Sequence, residues 1–360
     1  MPLKVHPDIV SLSPYVPGKP IEELQRELGL ARVIKLASNE NPLGSSPKAL
    51  AALSGGTATL HRYPDGSAFR LREALADRWK VAPDQVILGN GSDEILGLLA
   101  RTLLAPGDEA VMADQTFIMY KIEVTAAHGK SIVVPLKQWR HDLQAMADAI
   151  TDRTRLLFLC NPNNPTGTMV SADEVERLLS RVPAHVVVVC DEAYFEYVRD
   201  PQFPDSMAYV KQGRNVIVLR TFSKIYGLAG LRIGYGVATA EITNILNRVR
   251  PPFNANSLAQ RAAVAALDDD EHVARSRAVN EAGMAQMVQG LTALGFVPIP
   301  SEANFVYVDV GQDGRTVFEA LLREGIIVRH IEGRMVRVTI GLEEENREFL
   351  TALKRLIHPH

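Results

Sequence analysis

The chain has 360 residues, a length that exceeds one compact core and suits two α/β domains that share a cleft. Hydrophobic residues make up 46% and charged residues 22%, an ordinary balance for a globular protein. The formal charge of −3 gives no electrostatic reason to expect nucleic acid or an anionic membrane as a partner. The sequence has neither an apolar run of membrane-spanning length nor a signal-peptide pattern, so we expect a cytoplasmic protein.

The cysteines and histidines give no sign of a disulfide or a metal site. Cys160 and Cys190 each end a short apolar run, which predicts two buried thiols in adjacent strands. The histidines are scattered, with neither an HExxH motif nor paired Cys/His spacing. We therefore predict no metal site.

Between about residues 86 and 237, short apolar runs alternate with helical patterns. Because parallel strands need crossover helices, this alternation predicts an α/β fold with a large, mainly parallel seven-stranded sheet and helices on both faces. The run VVVVC is apolar throughout, as expected for a strand buried on both faces. The predicted strands are Val86–Leu88, Glu109–Met112, Ser131–Val134, Arg155–Leu159, Val186–Val189, Val216–Leu219 and Ile233–Val237. The predicted helices between them include Asp93–Leu104, Phe117–His128 and Ala172–Arg181.

After RPPFNANS (250–257) the pattern changes to a smaller α+β unit. A long helical stretch is predicted from Leu258 to about Leu294, followed by short strands and a terminal helix. We predict an N-terminal arm (1–30), a large cofactor-binding domain (31–250) and a small C-terminal domain (251–360), with Pro251-Pro252 at the joint.

The strongest chemical signal is TFSKIYGLAGLRIGY, residues 221–235. Lys224 follows an apolar strand and precedes a loop whose small residues let the backbone approach a bulky ligand. Like-charge repulsion from Arg232 would lower the pKa of the Lys224 amine and favour its neutral, nucleophilic form. Ser223 and Arg232 can also donate hydrogen bonds to a phosphate. The alternative is a surface lysine in a loop, and the whole segment argues against it.

A second signal is VVVVCDEAYFEY, which places Asp191 at the carboxyl end of a buried strand, where open parallel sheets bind ligands. A carboxylate buried there needs a cationic partner. Tyr194, three residues on, brings a phenol to the same place. The alternative is that Asp191 only caps the following turn.

Two loops after strands add polar groups. CNPNNPTGT (160–168) offers the carboxamide of Asn164, although such a segment is by itself an ordinary turn. LGNGSDEI (88–95) predicts a helix whose first backbone N–H groups, at Ser92 and Asp93, face an anion. For this second loop the alternative is a plain helix cap by Ser92 or Asp93.

Together these segments resemble the fold-type-I pyridoxal-phosphate aminotransferases, and within them the histidinol-phosphate aminotransferase family. The resemblance runs from Tyr15 to Gly341. It is carried by ASNENPLG, RYPDG, NGSDE, CNPNNPTG, DEAYFEY, TFSKIYGLAGLRIGY, ANFV and VRVTIG.

The resemblance implies pyridoxal 5'-phosphate as cofactor and assigns a role to each matching position. Lys224 carries the cofactor and later moves the proton between the substrate Cα and the cofactor C4′, and Asp191 pairs with the pyridinium nitrogen. The other implied cofactor contacts are Asn164 and Tyr194 at the ring oxygen, Phe117 on the ring face, and Ser92, Asp93, Ser223 and Arg232 at the phosphate.

For the substrate, the resemblance implies Arg337 at the acidic group, Arg329 at a substrate phosphate, and Tyr15 and Asn39 as further contacts. Tyr63 matches a tyrosine that reaches the cofactor phosphate of the neighbouring subunit, which implies a homodimer with shared active sites.

The implied reaction is amino transfer between imidazole-acetol phosphate and glutamate, which gives histidinol phosphate and 2-oxoglutarate, in histidine biosynthesis. Two alternatives use the same residues: an aromatic amino-acid aminotransferase acting on phenylalanine or tyrosine, and a phosphothreonine decarboxylase. For the two arginines, the alternative is a solvated cation beside a strand.

Overall fold

The computed structural model describes residues 3–15 and 17–357. It confirms the predicted α/β class, including the seven-stranded sheet and the smaller unit beside it. The strands are β1 (Ile34–Lys35), β2 (Val86–Gly89), β3 (Glu109–Ala113), β4 (Lys130–Val134), β5 (Thr154–Cys160), β6 (Val187–Asp191), β7 (Val216–Thr221), β8 (Gly234–Val237), β9 (Phe305–Asp309), β10 (Ile326–Ile327), β11 (Arg329–His330) and β12 (Met335–Thr339).

The α-helices, which cover both faces of the large sheet and one side of the small unit, have the following bounds. They are α1 (Pro7–Ser11), α2 (Ile21–Leu28), α3 (Pro47–Leu53), α4 (Phe69–Trp79), α5 (Ser92–Leu103), α6 (Met119–Ala126), α7 (Leu143–Asp148), α8 (Ala172–Leu179), α9 (Ser206–Lys211), α10 (Ala240–Asn247), α11 (Ser257–Leu267), α12 (Asp270–Ala293), α13 (Gly314–Arg323) and α14 (Glu343–Ile357).

The strand order in the large sheet is β2-β8-β7-β6-β5-β3-β4, and only β8 runs antiparallel to its neighbours. Successive side chains point to opposite faces, so Leu157 joins one buried cluster and Phe158 the other. Cys160 pairs in register with Asp191, and Asp191 with Leu219. The loops that follow β5, β6 and β7 therefore leave the sheet side by side at one edge.

The two cysteines behave as predicted. Cys160 on β5 and Cys190 on β6 are both buried and both free thiols. Burial raises the pKa of the Cys160 thiol to about 12, so it stays protonated at neutral pH.

The long helix predicted from Leu258 to Leu294 is wrong, because the chain breaks there into α11 and α12. The first helix ends at Leu267, and Asp269 caps the second by accepting a hydrogen bond from the backbone N–H of His272 (3.4 Å). Its carboxylate also accepts from the Ser46 hydroxyl (2.5 Å), which ties the break to the start of α3. A buried aspartate with these partners outweighs the helical periodicity around it.

The smaller unit combines an antiparallel sheet, β11-β12-β9, with the parallel pair β1-β10. Its own core includes Val306, Val336 and Phe349, and α12, α13 and α14 supply its helical cover. Helix α11 instead packs on α3 and α4 of the large unit. The division into 1–30, 31–250 and 251–360 stays a prediction. Within the described ranges, no helix has both the length and the apolar character needed to cross a membrane.

Candidate active site

A cavity of about 490 Å³ opens at the carboxyl edge of the large sheet, where strands of the small unit face it. This volume falls in the usual range for small-molecule sites. The structure brings nearly all of the residues singled out in the sequence to this cavity. They are Tyr15, Asn39, Ser92, Asp93, Phe117, Asn164, Asp191, Tyr194, Ser223, Lys224, Arg232, Arg329 and Arg337.

Tyr63 is the exception. Its side chain is 82% exposed, and its ring stacks on that of Phe253 at a centroid distance of 4.6 Å. It does not line the cavity of its own chain.

The amine of Lys224 projects from the loop after β7 and donates a hydrogen bond to the carbonyl oxygen of Ser38 (3.1 Å). Its pKa is lowered to about 8, first by burial and next by the positive charge of Arg337. Arg232, to which the sequence analysis attributed the shift, has a smaller effect. A substantial fraction of this amine is therefore neutral and nucleophilic at physiological pH.

Asp191 ends β6 and is 3% exposed. One carboxylate oxygen accepts from the backbone N–H of Ala193 (3.3 Å), so the predicted turn-capping role is present. The other accepts from the phenol of Tyr120 (2.7 Å) and lies at the cavity. Burial raises the pKa of Asp191 to about 6, which means that a cation placed beside the carboxylate would be strongly favoured.

Tyr120 is a site residue that the sequence analysis missed. It is fully buried on α6, and its ring stacks on Phe158 of β5 at 4.6 Å. An aromatic residue in a helix is usually assigned to the hydrophobic core. Tyr120 does lie in the core, but its hydroxyl donates to Asp191. Its position three residues after Phe117, in the turn that leads into α6, was the available signal.

The start of α5 has the geometry to bind an anion. Gly91 precedes the helix with φ +85°, and no side chain caps the first turn. The plain capping role considered for Ser92 and Asp93 is thus absent. A Cβ at Gly234 would lie 2.3 Å from the backbone nitrogen of Ser92, so this approach requires glycine. The first backbone N–H groups of the helix remain available to a ligand.

Two side chains complete this end of the cavity. Arg232 forms an ion pair with Asp93 (2.8 Å) and is held in the left-handed region at φ +57°. Ser223 is buried and accepts a hydrogen bond from Thr221 (3.0 Å), so its own hydroxyl hydrogen is free to be donated. Together with the helix N-terminus they form a cationic, donor-rich pocket.

A buried hydrogen-bond network supports the opposite side of the cavity. Asn39, 1% exposed, donates to the phenol of Tyr194 (2.8 Å) and accepts from Thr339 (3.0 Å). The guanidinium of Arg337 donates to Asn164 (2.6 Å) and to the carbonyl of Ala37 (2.6 Å). The side chain of Asn39 is thus engaged in positioning Tyr194.

Arg337 and Arg329 form a cationic pair at the outer part of the cavity. They lie opposite each other on β12 and β11, and Arg329 sits over the ring of Tyr15 at 5.8 Å. Among the described residues the Nε–H of Arg337 is buried without a partner. Burial lowers the pKa of Arg337, with Arg329 adding to the effect. Two cations and an unpaired donor make this an anion-binding surface.

Comparison with known proteins agrees with this geometry. The family model described as "Aminotransferase class I and II" matches residues 31–353. The chain belongs to this aminotransferase family. A histidinol-phosphate aminotransferase from Moorella thermoacetica is 54% identical over 97% of this chain and 92% of the relative. Another, "Histidinol-phosphate aminotransferase 2" from Pseudomonas aeruginosa, is 52% identical over 98% and 97%.

A solved structure is similar to this aminotransferase over the same extent. It is the histidinol-phosphate aminotransferase from Sinorhizobium meliloti in complex with pyridoxal-5'-phosphate, with a TM-score of 0.91 and 29% identity. The likeness covers 98% of this chain and 97% of that one. The family and the fold predicted from the sequence are thereby confirmed.

The cause of the lowered Lys224 pKa can be tested directly. In ligand-free protein, amine-specific labelling of Lys224 should rise through about pH 8, whereas exposed lysines titrate near 10.4. Arg337→Met removes a repelling charge, so the pKa should rise and less amine should be neutral at pH 8. Residue-resolved mass spectrometry gives the labelling rate at each pH. Arg232→Met is the matched control and should move the midpoint less; a larger shift than for Arg337→Met would contradict the assignment.

Proposed function

We propose that this chain is a pyridoxal-phosphate-dependent transaminase that transfers an amino group between glutamate and imidazole-acetol phosphate, giving 2-oxoglutarate and histidinol phosphate, and so serves histidine biosynthesis. One observation carries the proposal. A single cavity combines a lysine amine of pKa about 8, a buried carboxylate and an open helix N-terminus. Full-length similarity to histidinol-phosphate aminotransferases supports the choice of substrate.

The residues of the cavity fit the three parts of pyridoxal phosphate. The uncapped start of α5, with Ser223 and Arg232, suits a phosphate. Asp191 is a buried carboxylate bonded only to uncharged donors, so it suits a protonated ring nitrogen. Lys224 supplies the amine that would join the aldehyde carbon.

When bound, the cofactor supplies an aldehyde that condenses with amines and a cationic ring that accepts electron density from the substrate Cα. Asp191 would keep the ring nitrogen protonated, and Tyr120 fixes the carboxylate that would do so. Lys224 would move the proton between the substrate Cα and C4′ of the bound cofactor. Its lowered pKa suits this work, because one amine must both accept and release a proton near neutral pH.

Three further side chains orient the ring. Phe117 is half-buried at the cavity, edge-on to Tyr120 at 5.7 Å, and offers an aromatic face for stacking. Asn164 and Tyr194 are held by Arg337 and Asn39 respectively, which supports their assignment as hydrogen-bond partners for the ring oxygen. Burial raises the pKa of Tyr194 well above its ordinary value, so its phenol stays protonated.

The arginine pair explains how one site accepts two different anions. Two of the five N–H groups of Arg337 are used within the protein, which leaves three for a ligand. A guanidinium binds a carboxylate or a phosphate equally well through parallel hydrogen bonds. We assign glutamate's carboxylate to Arg337, and the phosphate of histidinol phosphate to Arg337 and Arg329 together, with Tyr15 beside them.

We further propose a homodimer in which Tyr63 completes the cofactor-phosphate site of the neighbouring subunit. Three observations on Tyr63 support this role. Its side chain is 82% exposed, its ring stacks on the half-exposed Phe253, and it does not line the cavity of its own subunit. A cytoplasmic location also stays a prediction.

The substrate assignment is tested by a half-reaction screen. Purified holoenzyme is mixed in turn with histidinol phosphate, glutamate, phenylalanine, tyrosine and phosphothreonine, and the cofactor spectrum is followed. We expect conversion to the pyridoxamine form to be most efficient with histidinol phosphate, with glutamate also active. Faster conversion by phenylalanine or tyrosine would favour the aromatic aminotransferase, and release of CO₂ from phosphothreonine would favour the decarboxylase.

Lys224→Ala should lose the visible band of the lysine-linked cofactor and all multiple turnover.

Variants of Arg329 and Arg337 test how the two arginines share the binding of the substrate anion. Arg329→Ala should slow the half-reaction of histidinol phosphate more than that of glutamate, because only the phosphate uses a second cation. The loss should be about 100-fold in efficiency at most, as for one charge-assisted contact. Arg337→Lys should slow both, because a lysine cannot make paired hydrogen bonds. Single-turnover rates for each donor give the comparison.

The matched control for these variants is Arg334→Ala. Arg334 lies between β11 and β12 and pairs on the surface with Asp309 (2.6 Å), away from the cavity. Its removal should leave both half-reactions unchanged. Equal slowing of both donors by Arg329→Ala would refute its role at the phosphate.

Hybrid dimers test whether Tyr63 acts on the neighbouring subunit. Tyr63→Phe keeps the stacking on Phe253 but removes the hydroxyl, and cofactor retention should weaken by about 10- to 100-fold. A dimer of one Lys224→Ala subunit and one Tyr63→Phe subunit should then hold one wild-type site, with half the activity of the wild-type dimer. If Tyr63 acts within its own subunit, the hybrid should show only half the activity of Tyr63→Phe.

A further inference from the structure

Away from the cavity, the described residues bring two imidazoles and a carboxylate together where the N-terminal arm meets α6. His6 and Asp8 flank the start of α1, and His128 follows the end of α6. The Nδ1 atoms of His6 and His128 lie 3.3 Å and 3.4 Å from the same oxygen, Oδ2 of Asp8. One donor atom from each residue lies within 4.8 Å of the others.

The two separations from Oδ2 of Asp8 match the edges of a zinc coordination tetrahedron. Zinc binds imidazole nitrogen and carboxylate oxygen at about 2.0–2.1 Å, so two tetrahedral ligands lie roughly 3.3–3.4 Å apart. Charge-assisted hydrogen bonds between the same groups are shorter, about 2.7–2.9 Å. The two His–Asp contacts are therefore too long for tight ion pairs, and both have the length expected of atoms that share a metal ion.

His6 has a lone pair on the nitrogen that coordination would use. Nδ1 of His6 accepts a long hydrogen bond (3.3 Å) from the backbone N–H of Asp8, so this nitrogen is unprotonated, and a metal ion would take the place of that hydrogen bond. The two imidazole rings lie only 4.0 Å apart between centroids. Two protonated rings would repel each other at this distance, whereas two neutral rings can both bind one cation.

We propose that His6, Asp8 and His128 bind a Zn²⁺ ion that fastens the N-terminal arm to the large unit. Two imidazole nitrogens and one carboxylate suit zinc, whereas Mg²⁺ and Ca²⁺ prefer sites made of oxygen. The three side chains are partly exposed, which leaves a fourth position open to water. The sequence analysis predicted no metal site because His6 and His128 are far apart in the chain and form no short motif.

The site has a structural consequence that is independent of the reaction. The arm that contains His6 and Asp8 continues to Tyr15, which lines the cavity beside Arg329. An ion held between the arm and His128 would restrain this stretch of chain, because α1 has only five residues and none of them is buried.

The test is zinc binding by the purified full-length holoenzyme in competition with a colorimetric chelator. Wild type should hold one more equivalent of zinc per chain than His128→Asn or Asp8→Asn, and excess Mg²⁺ should not displace it. Asparagine is the right replacement at 128, because this residue has φ +61° and asparagine tolerates that conformation. His185→Asn, on an exposed histidine elsewhere, should retain the ion. The double variant His358→Asn with His360→Asn, at residues outside the described ranges, should also retain the ion.

Hydrogen exchange gives a second readout that does not depend on stoichiometry. Zinc should slow exchange of the α1 amides in wild type and in His185→Asn, and leave them unchanged in His128→Asn and Asp8→Asn. Equal zinc content in wild type and His128→Asn, or zinc protection of α1 in the variant, would overturn the proposal.

Discussion

Parallel pairing in register fixes where the chemistry of this protein can occur. Because β5, β6 and β7 run in the same direction and are paired residue by residue, the chain must leave all three at one edge. Each exit delivers one polar group: Asn164 after β5, Asp191 at the end of β6 and Lys224 after β7. Apolar side chains on both faces make the sheet rigid and prevent a slip in register, which would turn these groups away from each other.

Burial then sets the chemical character of those groups. The same desolvation raises the pKa of Asp191 and lowers that of Lys224, so the ligand-free cavity disfavours charge of either sign. The cationic pair Arg329 and Arg337 adds unbalanced positive charge on the opposite wall. A ligand with a cationic ring nitrogen and an anionic tail would place a positive charge beside Asp191 and a negative charge beside the two arginines. The electrostatics of the cavity, as well as its shape, therefore favour a ligand that carries both charges.

The sequence was sufficient for those features that depend on neighbouring residues. The segment around Lys224, the apolar strands and the glycine turn before Ser92 each carry their signal within about fifteen residues. Features that depend on distant residues could not be predicted. The positive charge of Arg337, over a hundred residues from Lys224 in the chain, lowers the pKa of Lys224 more than the charge of Arg232 does. The bond from Tyr120 to Asp191 and the meeting of His6 with His128 depend on tertiary packing, as does the bond from Ser46 to Asp269, the residue that caps α12.

The contacts of residues 34–39 have a consequence for the order in which the protein folds. Strand β1 pairs with β10, the backbone of Asn39 donates to Thr339, and Arg337 donates to the carbonyl of Ala37. These last two contacts join residues 300 positions apart. All strands of the large sheet are translated long before Thr339, so the early segment has to wait for its last partner. The lysine, the carboxylate and the helix N-terminus are therefore all present in the nascent chain before the strand that carries Arg337, and the wall formed by that strand is the last part of the cavity to be made.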